Sequence, residues 1–338
     1  MINFDYARAE SVADAVRLIG TDPAAKFIAG GTNLVDLMKY DVEKPVQLID
    51  ISRLPLRTVQ ETKAGGVRIG ALVPNSDLAY HPLIEARYPL VASAILAGAS
   101  QQLRNMASTG GNLMQRTRCA YFYDTATPCN KREPGSGCSA IEGLNRIHAI
   151  LGASEACVAT HPSDMCVALR VLDAMVHVTG AAGDRTIPIA DFHRLPGDTP
   201  QIDTNLRPDE IITAIELPAE GFASNYSYLK IRDRLSYAFA LVSVAAALEL
   251  DGNTIRQARF ALGGVAHKPW RDPEAEAVLA GQAPSEANFS RAADVFLRAA
   301  KGLKHNAFKI DLARRAIVRT LTQAANGTPQ SQSNKKIA

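Results

Sequence analysis

Two glycine turns and a group of cysteines are the residues of this chain whose types and spacing could do chemistry. In Ala29-Gly30-Gly31-Thr32-Asn33, adjacent glycines follow the short stretch Lys26-Phe27-Ile28 and precede Leu34. Without Cβ atoms in the way, successive backbone N–H groups at such a turn can converge on an anion. Thr32 and Asn33 add side-chain donors, and a helix opening at Leu34 presents its unpaired first amides to a phosphate. A Gly-Gly pair alone is equally a tight structural turn, and it is not the spaced three-glycine fingerprint of nicotinamide-binding domains. A second turn of the same kind, Ala107-Ser108-Thr109-Gly110-Gly111-Asn112-Leu113, follows about 80 residues on. Two such turns can clamp one pyrophosphate between them, with Ser108, Thr109, Gly111 and Asn112 contributing from the second.

Of five cysteines, Cys119, Cys129, Cys138 and Cys157 fall in one segment, separated by nine, eight and eighteen residues. Bunching of this kind in a chain whose start, Met1-Ile2-Asn3-Phe4-Asp5, has no signal-peptide pattern points to metal or redox chemistry rather than disulfides. Four thiolates suit a tetrahedral zinc ion or a [4Fe-4S] cluster, and the spacing matches neither common template. Between positions 104 and 132, five basic residues (Arg104, Arg116, Arg118, Lys131, Arg132) stand against the single acid Asp124, a balance that suits an anionic centre. Cys166 sits beside an apolar helical face and reads as a small core side chain. His148 and His161 read as hydrogen-bonded structural histidines, and Trp270 as packing.

The elements that must position these residues mix helix and strand. Ser11 caps a helix with Val12, Val16 and Ile19 at helical spacing, Lys26–Ala29 is a strand entering the first turn, and Leu34, Leu37 and Met38 share a face after it. Val46–Ile51 and Gly66–Leu72 read as strands, and Leu90–Leu103 as helical. Residues 114–160 have too little periodicity to pack alone and need something to organise them. Ser163 caps a helix carrying Met165, Ala168, Leu169 and Leu172, and the strand Met175–Thr179 follows. After a linker at Leu217–Ser224, two or three strands precede helices containing Phe296, Leu297, Leu312 and Ile317. The apolar run Tyr237–Leu248 falls short of the about 20 residues that span a bilayer and reads as buried core. A length of 338 residues leaves room for two domains. A net charge of +3 offers no footprint for nucleic acid or an anionic membrane, so small molecules and proteins are the expected partners.

With these motifs in place, the chain resembles the FAD-binding medium subunits of the molybdenum hydroxylases, the family of xanthine dehydrogenase, carbon monoxide dehydrogenase and bacterial aldehyde oxidoreductases. The resemblance runs nearly end to end. It rests on Ala29-Gly30-Gly31-Thr32-Asn33-Leu34, Gln102-Leu103-Arg104-Asn105, Thr109-Gly110-Gly111-Asn112-Leu113, His161-Pro162-Ser163-Asp164 and Tyr228-Leu229-Lys230. It is strongest for the flavin subunit of periplasmic-type aldehyde oxidoreductases, in which an inserted loop carries a [4Fe-4S] cluster. The stretches around Cys119, Cys129 and Cys138 sit where that loop belongs, so the resemblance favours the cluster over zinc.

The resemblance implies an α+β fold. A two-part FAD-binding domain of the PCMH type would occupy residues 1–220, as subdomains 1–58 and 59–220 with an iron–sulfur loop at 114–160. A smaller α/β C-terminal domain of the carbon monoxide dehydrogenase flavoprotein type would cover 224–326, and a disordered tail 327–338. Lys26, Phe27, Ile28, Ala29, Gly30, Gly31, Thr32, Asn33 and Leu34, with Ser108, Thr109, Gly111 and Asn112, would hold the pyrophosphate and ribityl oxygens of FAD. Asp164 would bind the ribityl or flavin side, Ile212 would touch the flavin through its backbone, and Lys230 would approach the polar edge of the ring. Cys119, Cys129, Cys138 and Cys157 would ligate the cluster.

By the same resemblance this is an oxidoreductase subunit with no catalytic side chain of its own. A molybdenum-cofactor large subunit would hydroxylate an aldehyde, a [2Fe-2S] small subunit would relay the electrons, and FAD here would pass them to an external acceptor. The complex would stay in the cytoplasm, or reach the periplasm by co-export with a signal-bearing partner. One position departs: animal xanthine oxidases place an aromatic just before the residue matching Ala99, where this chain has Gly98. The rival expectations are a self-contained FAD oxidase with a zinc-stapled loop, and a flavin-less assembly protein.

Overall fold

In the computed structural model, which describes residues 1–235 and 237–328, the chain builds three sheets and the helices that cover them. From residue 329 on, the expected tail lies outside the described residues. The first sheet is parallel, with Gln47–Asp50 between Asp5–Arg8 and Lys26–Ile28. Its covering helix, Val12–Ile19, starts where the Ser11 side chain accepts the Asp14 amide at 3.0 Å, and it buries Ala15 and Ile19 in one cluster with Ile49. In open parallel sheets, ligands collect beyond the carboxyl ends of the strands. The Gly30-Gly31 turn lies at that end of Lys26–Ile28 and leads into the helix Leu34–Lys39.

The second sheet is antiparallel, in the order Val59–Glu61, Val67–Gly70, Ile211–Leu217, Met175–Gly180, Gly183–Pro188. Against it packs the helix Pro89–Ala97, buried at every residue but Leu96. The continuous helix expected over Leu90–Leu103 is in fact two, Pro89–Ala97 and Gln101–Met106. Ala99 adopts a left-handed backbone (φ 52°), the freed Gly98 carbonyl accepts from Arg104 at 2.7 Å, and Ser100 caps the second helix on the Leu103 amide. Alanine and leucine content favours helix throughout this stretch, so composition cannot show the break.

The third sheet has four strands rather than two or three: Trp270–Arg271, Thr254–Gly263, Val242–Asp251 and Tyr226–Ile231, all antiparallel. Both of its faces are covered. Val242, Val244, Ala246 and Leu248 meet the helices Glu286–Leu297 and Phe308–Ala325, while Ala245, Ala247 and Ala261 join the core of the second sheet. A strand buried on both sides has no reason to alternate polar residues, which explains the long apolar run. That run is core only from Leu241 on. Tyr237 and Phe239 are 59% and 50% exposed and stand on a loop at the rim of a cavity.

Residues 114–160 contain two one-turn helices, Ala120–Tyr123 and Ser139–Glu142, and are held from outside. Lys309, fully buried on the last helix, donates to the carbonyls of Ile147 (3.4 Å), His148 (2.8 Å) and Gly264 (2.6 Å). Asn306 donates to the carbonyls of His148 and Ala149, both at 3.1 Å. Among the described residues, no helix is long and apolar enough to cross a membrane.

Candidate functional site

The first glycine turn presents a row of unused donors. The backbone N–H groups from Gly30 to Leu34 donate to no acceptor among the described residues, although the Gly31 carbonyl already accepts from Val35 at 3.1 Å. Beside them, Asn33 Oδ1 accepts the Arg116 amide at 2.9 Å, and Asn33 Nδ2 is buried without a partner among the described residues. These residues are half-buried at the edge of a cavity, so the row of amides is free to meet an acceptor placed there. Phosphate oxygens supply several at once.

The second turn meets the first directly. A Cβ added at Gly30 would lie 1.8 Å from the Met106 carbonyl oxygen, one residue before Ala107. Its amides, however, are already spent: Thr109 N donates to Val73 O (2.9 Å), Gly110 N to Ala71 O (2.7 Å), Gly111 N to Ser108 Oγ (3.2 Å) and Asn112 N to Ser108 O (2.8 Å). The two turns are therefore not equivalent jaws. The second is anchored to the loop after Val67–Gly70 and lends the side chain of Asn112, whose Oδ1 accepts from Ser163 Oγ at 2.7 Å and Gln115 Nε2 at 2.5 Å.

Both turns open into a cavity of about 870 Å³, which falls within the 300–1,000 Å³ typical of small-molecule and cofactor sites. At its floor, Asp164 Oδ1 accepts from Tyr228 (2.5 Å) and Oδ2 from Lys230 Nζ (2.8 Å), an ion pair in which the Lys230 side chain is 2% exposed. Lys230 also donates to the Ala97 carbonyl at 3.2 Å. Asp164 leads the helix Asp164–Val171 and Lys230 lies on the strand Tyr226–Ile231, so the pair locks the two halves of the chain across the floor. Gly98 is part of this arrangement. A Cβ there would lie 2.9 Å from Asp164 Oδ2, which leaves no room for the aromatic that the resemblance places at this position in animal xanthine oxidases.

Of the residues anticipated for the cofactor, Thr32, Asn33, Gly111, Asn112, Asp164 and Lys230 line the cavity. Lys26, Phe27 and Ile28 form the strand that carries the turn, Ala29, Gly30 and Gly31 shape it, and Leu34 starts the helix behind it. Ser108 and Thr109 are buried at the foot of the second turn. Ile212 lies in the core of the second sheet, opposite Val178, and is not among the residues lining the cavity. Tyr40, Asn75, Tyr123, Phe239 and the pair Gly263-Gly264 line it without having been anticipated. Of these, only Gly263-Gly264, closing a strand as Gly30-Gly31 does, carried a usable signal.

Cys119, Cys129, Cys138 and Cys157 meet in a second, much smaller cavity, walled by Tyr121, Phe122, Lys131 and Ala159. Cys129 and Cys138 face one another across an isolated antiparallel bridge. Nearby backbone amides, those of Phe122 and Tyr121 at Cys119 and of Ala140, Val158 and Ile141 at Cys138, favour the thiolate forms. Burial pushes the Cys119 thiol up to about 11. A hydrogen bond shared with Cys157 holds Cys138 down to about 6 and pushes Cys157 up. Among the described residues, the three ligand atoms that gather within 4.8 Å of one another belong to His161, Cys166 and His193, not to the loop cysteines. No three of the loop sulfurs lie within 4.8 Å of one another, whereas Zn–S bonds of ~2.3 Å would set all of them about 3.8 Å apart in a tetrahedral site.

The basic residues counted in the sequence do not all converge on the sulfurs. Only Lys131 lines their cavity. Arg116 pairs with Glu43 and, at 2.8 Å, with Asp203, while Lys131 Nζ reaches Asp203 at 2.5 Å. Burial alone would raise the Asp203 carboxyl, but Arg116 and Lys131 hold it well below the usual carboxylate range. Arg118 pairs with Asp36 and Tyr123, and Arg132 donates to the carbonyls of Tyr121 and Phe122, both at 2.9 Å. Acids distant in sequence therefore supply much of the compensating charge.

Of the two histidines read as hydrogen-bonded, one has a partner and the other does not. His148 Nε2 lies 3.1 Å from Cys119 Sγ, whereas neither ring nitrogen of His161 has a hydrogen-bond partner among the described residues. His161 packs against His193 with the rings tilted at 48° and centroids 4.1 Å apart, and His193 Nε2 donates to the Leu113 carbonyl at 2.9 Å. Burial keeps both imidazoles neutral, with His193 pushed down to about 4, and holds the Cys166 thiol up at about 12. The three pack as neutral groups, and of them only His161 lines the cavity.

A turn with unused amide donors beyond a small parallel sheet, an antiparallel sheet beside it and a third sheet closing the cavity make a chain of two joined parts around one cofactor-sized cavity. Residues 2–220 match the family model for the FAD binding domain in molybdopterin dehydrogenase, and residues 226–324 that for the CO dehydrogenase flavoprotein C-terminal domain. The chain belongs to the FAD-binding medium subunits of the molybdenum hydroxylases, and is thus an oxidoreductase subunit. It is 52% identical to the aldehyde oxidoreductase FAD-binding subunit PaoB of Escherichia coli over 322 residues, covering 95% of this chain and 98% of that one. It is 30% identical to the glyceraldehyde dehydrogenase medium chain of Sulfolobus acidocaldarius over 280 residues, 82% of each chain. Carbon monoxide dehydrogenase from Hydrogenophaga pseudoflava shares the fold at a TM-score of 0.76 and 27% identity, over 97% of this chain and 99% of that one.

Proposed function

We propose that this chain is the FAD- and [4Fe-4S]-carrying electron-transfer subunit of a molybdenum-containing aldehyde oxidoreductase. It would accept electrons from a [2Fe-2S] small subunit, while a molybdenum-cofactor large subunit hydroxylates the aldehyde, and pass them to an external acceptor. The observation that carries this reading is the shared wall between the two cavities. Thr117, Cys119 and Ala159 line the cysteine cavity, while their immediate neighbours Arg118, Ala120 and Thr160 line the larger one. The 52% identity to an aldehyde oxidoreductase FAD-binding subunit supports the substrate class. The division we read follows the sheets, with 1–58 and 59–220 forming the flavin domain and 224–326 the C-terminal domain.

Bound FAD exchanges one or two electrons and a [4Fe-4S] centre one, so the pair suits passage between one- and two-electron partners. The amides of Gly30–Leu34 and the Asn33 carboxamide would hold the pyrophosphate. Asn112, Asp164 and Lys230 would meet the ribityl and ring side, with Ala29, Lys26, Phe27, Ile28, Ser108, Thr109 and Gly111 shaping the turns and Ile212 supporting from the core. The buried Asp164–Lys230 pair places a cation held by a carboxylate against the floor, and it orients without moving a proton. Backbone amides near the Cys119 and Cys138 sulfurs favour their thiolate forms, the forms in which they would ligate a cluster.

The test is the visible spectrum of the purified chain, with iron and acid-labile sulfide assayed on the same sample. Flavin and iron together are expected. Flavin without iron overturns the cluster, and iron without flavin overturns the glycine-turn reading. Cys129→Ser is expected to lose iron, and unchanged iron would remove Cys129 from the ligand set.

A further inference from the structure

His148 is the imidazole that reaches a loop sulfur, and the site shows in which direction the hydrogen bond runs. Its ring is buried, with Nε2 3.1 Å from Cys119 Sγ. The other nitrogen, Nδ1, is equally buried and has no partner among the described residues. A proton on Nδ1 would leave a buried N–H without an acceptor and set the Nε2 lone pair against the lone pairs of a thiolate. A proton on Nε2 satisfies both atoms, leaving only a bare lone pair at Nδ1. With Cys119 a thiolate, as it would be when ligating a cluster, the tautomer is the one that donates to sulfur.

The position is built, not incidental. The His148 amide donates to the Asn145 carbonyl at 3.1 Å, and its own carbonyl accepts from Asn306 Nδ2 and from Lys309 Nζ. Asn145 is held in turn, its Nδ2 donating to the carbonyls of Ala140 and Ile141 and its Oδ1 accepting the His305 amide at 2.9 Å. The C-terminal part of the chain thus aims a ring at a cysteine of the inserted loop. Hydrogen bonds to sulfur are one of the levers that set the potential of an iron–sulfur centre, because a donor stabilises the more electron-rich, reduced state more strongly.

We propose that His148 is a positioning residue for the centre on the four cysteines, donating an Nε2–H···Sγ hydrogen bond to Cys119 that raises the reduction potential of that centre. This rests on the cluster reading above. No atom is transferred: the reduced centre gains an electron from the same donor as before, and the hydrogen bond shifts only the equilibrium.

The test uses the full complex, as wild type, His148→Leu and His148→Gln, with iron, acid-labile sulfide and an EPR-monitored redox titration on each. His148→Leu removes the donor at similar volume and is expected to shift the equilibrium about tenfold toward the oxidised centre, which is ~59 mV for one electron. His148→Gln restores an N–H donor and is expected to recover part of that shift at unchanged iron content. Iron present in wild type and His148→Leu with an unchanged potential overturns this proposal alone. Absence of iron from wild type overturns the cluster reading and the proposal with it. Loss of iron from both variants makes His148 a structural residue, which also overturns the tuning role.

Discussion

Gly30→Ala tests the joint between the two turns most sharply. The added Cβ would lie 1.8 Å from the Met106 carbonyl oxygen and 2.7 Å from its carbonyl carbon. An ordinary Cβ···O contact is about 3.4 Å, so the turns must part by roughly 1.5 Å, and both contacts are backbone that cannot rotate aside. Overpacking of this kind costs about 1–3 kcal/mol. Because the amides of Gly30–Leu34 would have to hold the pyrophosphate from the displaced turn, a loss near 3 kcal/mol should appear mainly in affinity, about 100-fold in Kd for FAD. The assay is FAD binding to flavin-depleted protein, with thermal unfolding of the same samples. Gly20→Ala is the control, since its added Cβ meets nothing nearer than the Val16 carbonyl at 3.5 Å. Wild-type FAD affinity in Gly30→Ala would refute the joint and, with it, the account of why this position is glycine.

Three further outcomes follow from the geometry. Asp164→Asn leaves the buried Lys230 ammonium without its carboxylate and should destabilise the chain by about 3–5 kcal/mol, with Lys230→Met in the same chain recovering much of the loss; denaturant midpoints of the single and double variants check this. Asp203→Asn should release Arg116 and Lys131 together and loosen the cysteine loop, read as faster proteolysis within 114–160 and lower iron content. His193, held neutral at about 4 by burial, binds its proton only in the unfolded chain between about pH 6.5 and 4. Its share of stability is therefore fully present above about pH 6.5 and falls with pH, by up to about 3 kcal/mol. His193→Gln should flatten the acid limb of a stability-versus-pH curve, and an unchanged limb would rule His193 out as its source.

The sequence by itself determined the local devices. Gly30-Gly31 after a short strand marked the donor-bearing turn, Ser11 and Ser163 stand where helices begin, and the four bunched cysteines marked a loop that needs a centre. Each of these depends on neighbours a few residues apart, which is the range over which backbone sterics and capping act. Only the tertiary structure decided what crosses longer distances. The second turn, so like the first in sequence, spends its amides on Ala71 and Val73, and nothing local distinguishes it. The compensation of Arg116 and Lys131 by Asp203 and the approach of His148 to Cys119 arise from segments tens of residues apart. Gly98 joins the two: a glycine in the sequence without an evident reason, made necessary by a carboxylate 66 residues on, 2.9 Å from where its side chain would be.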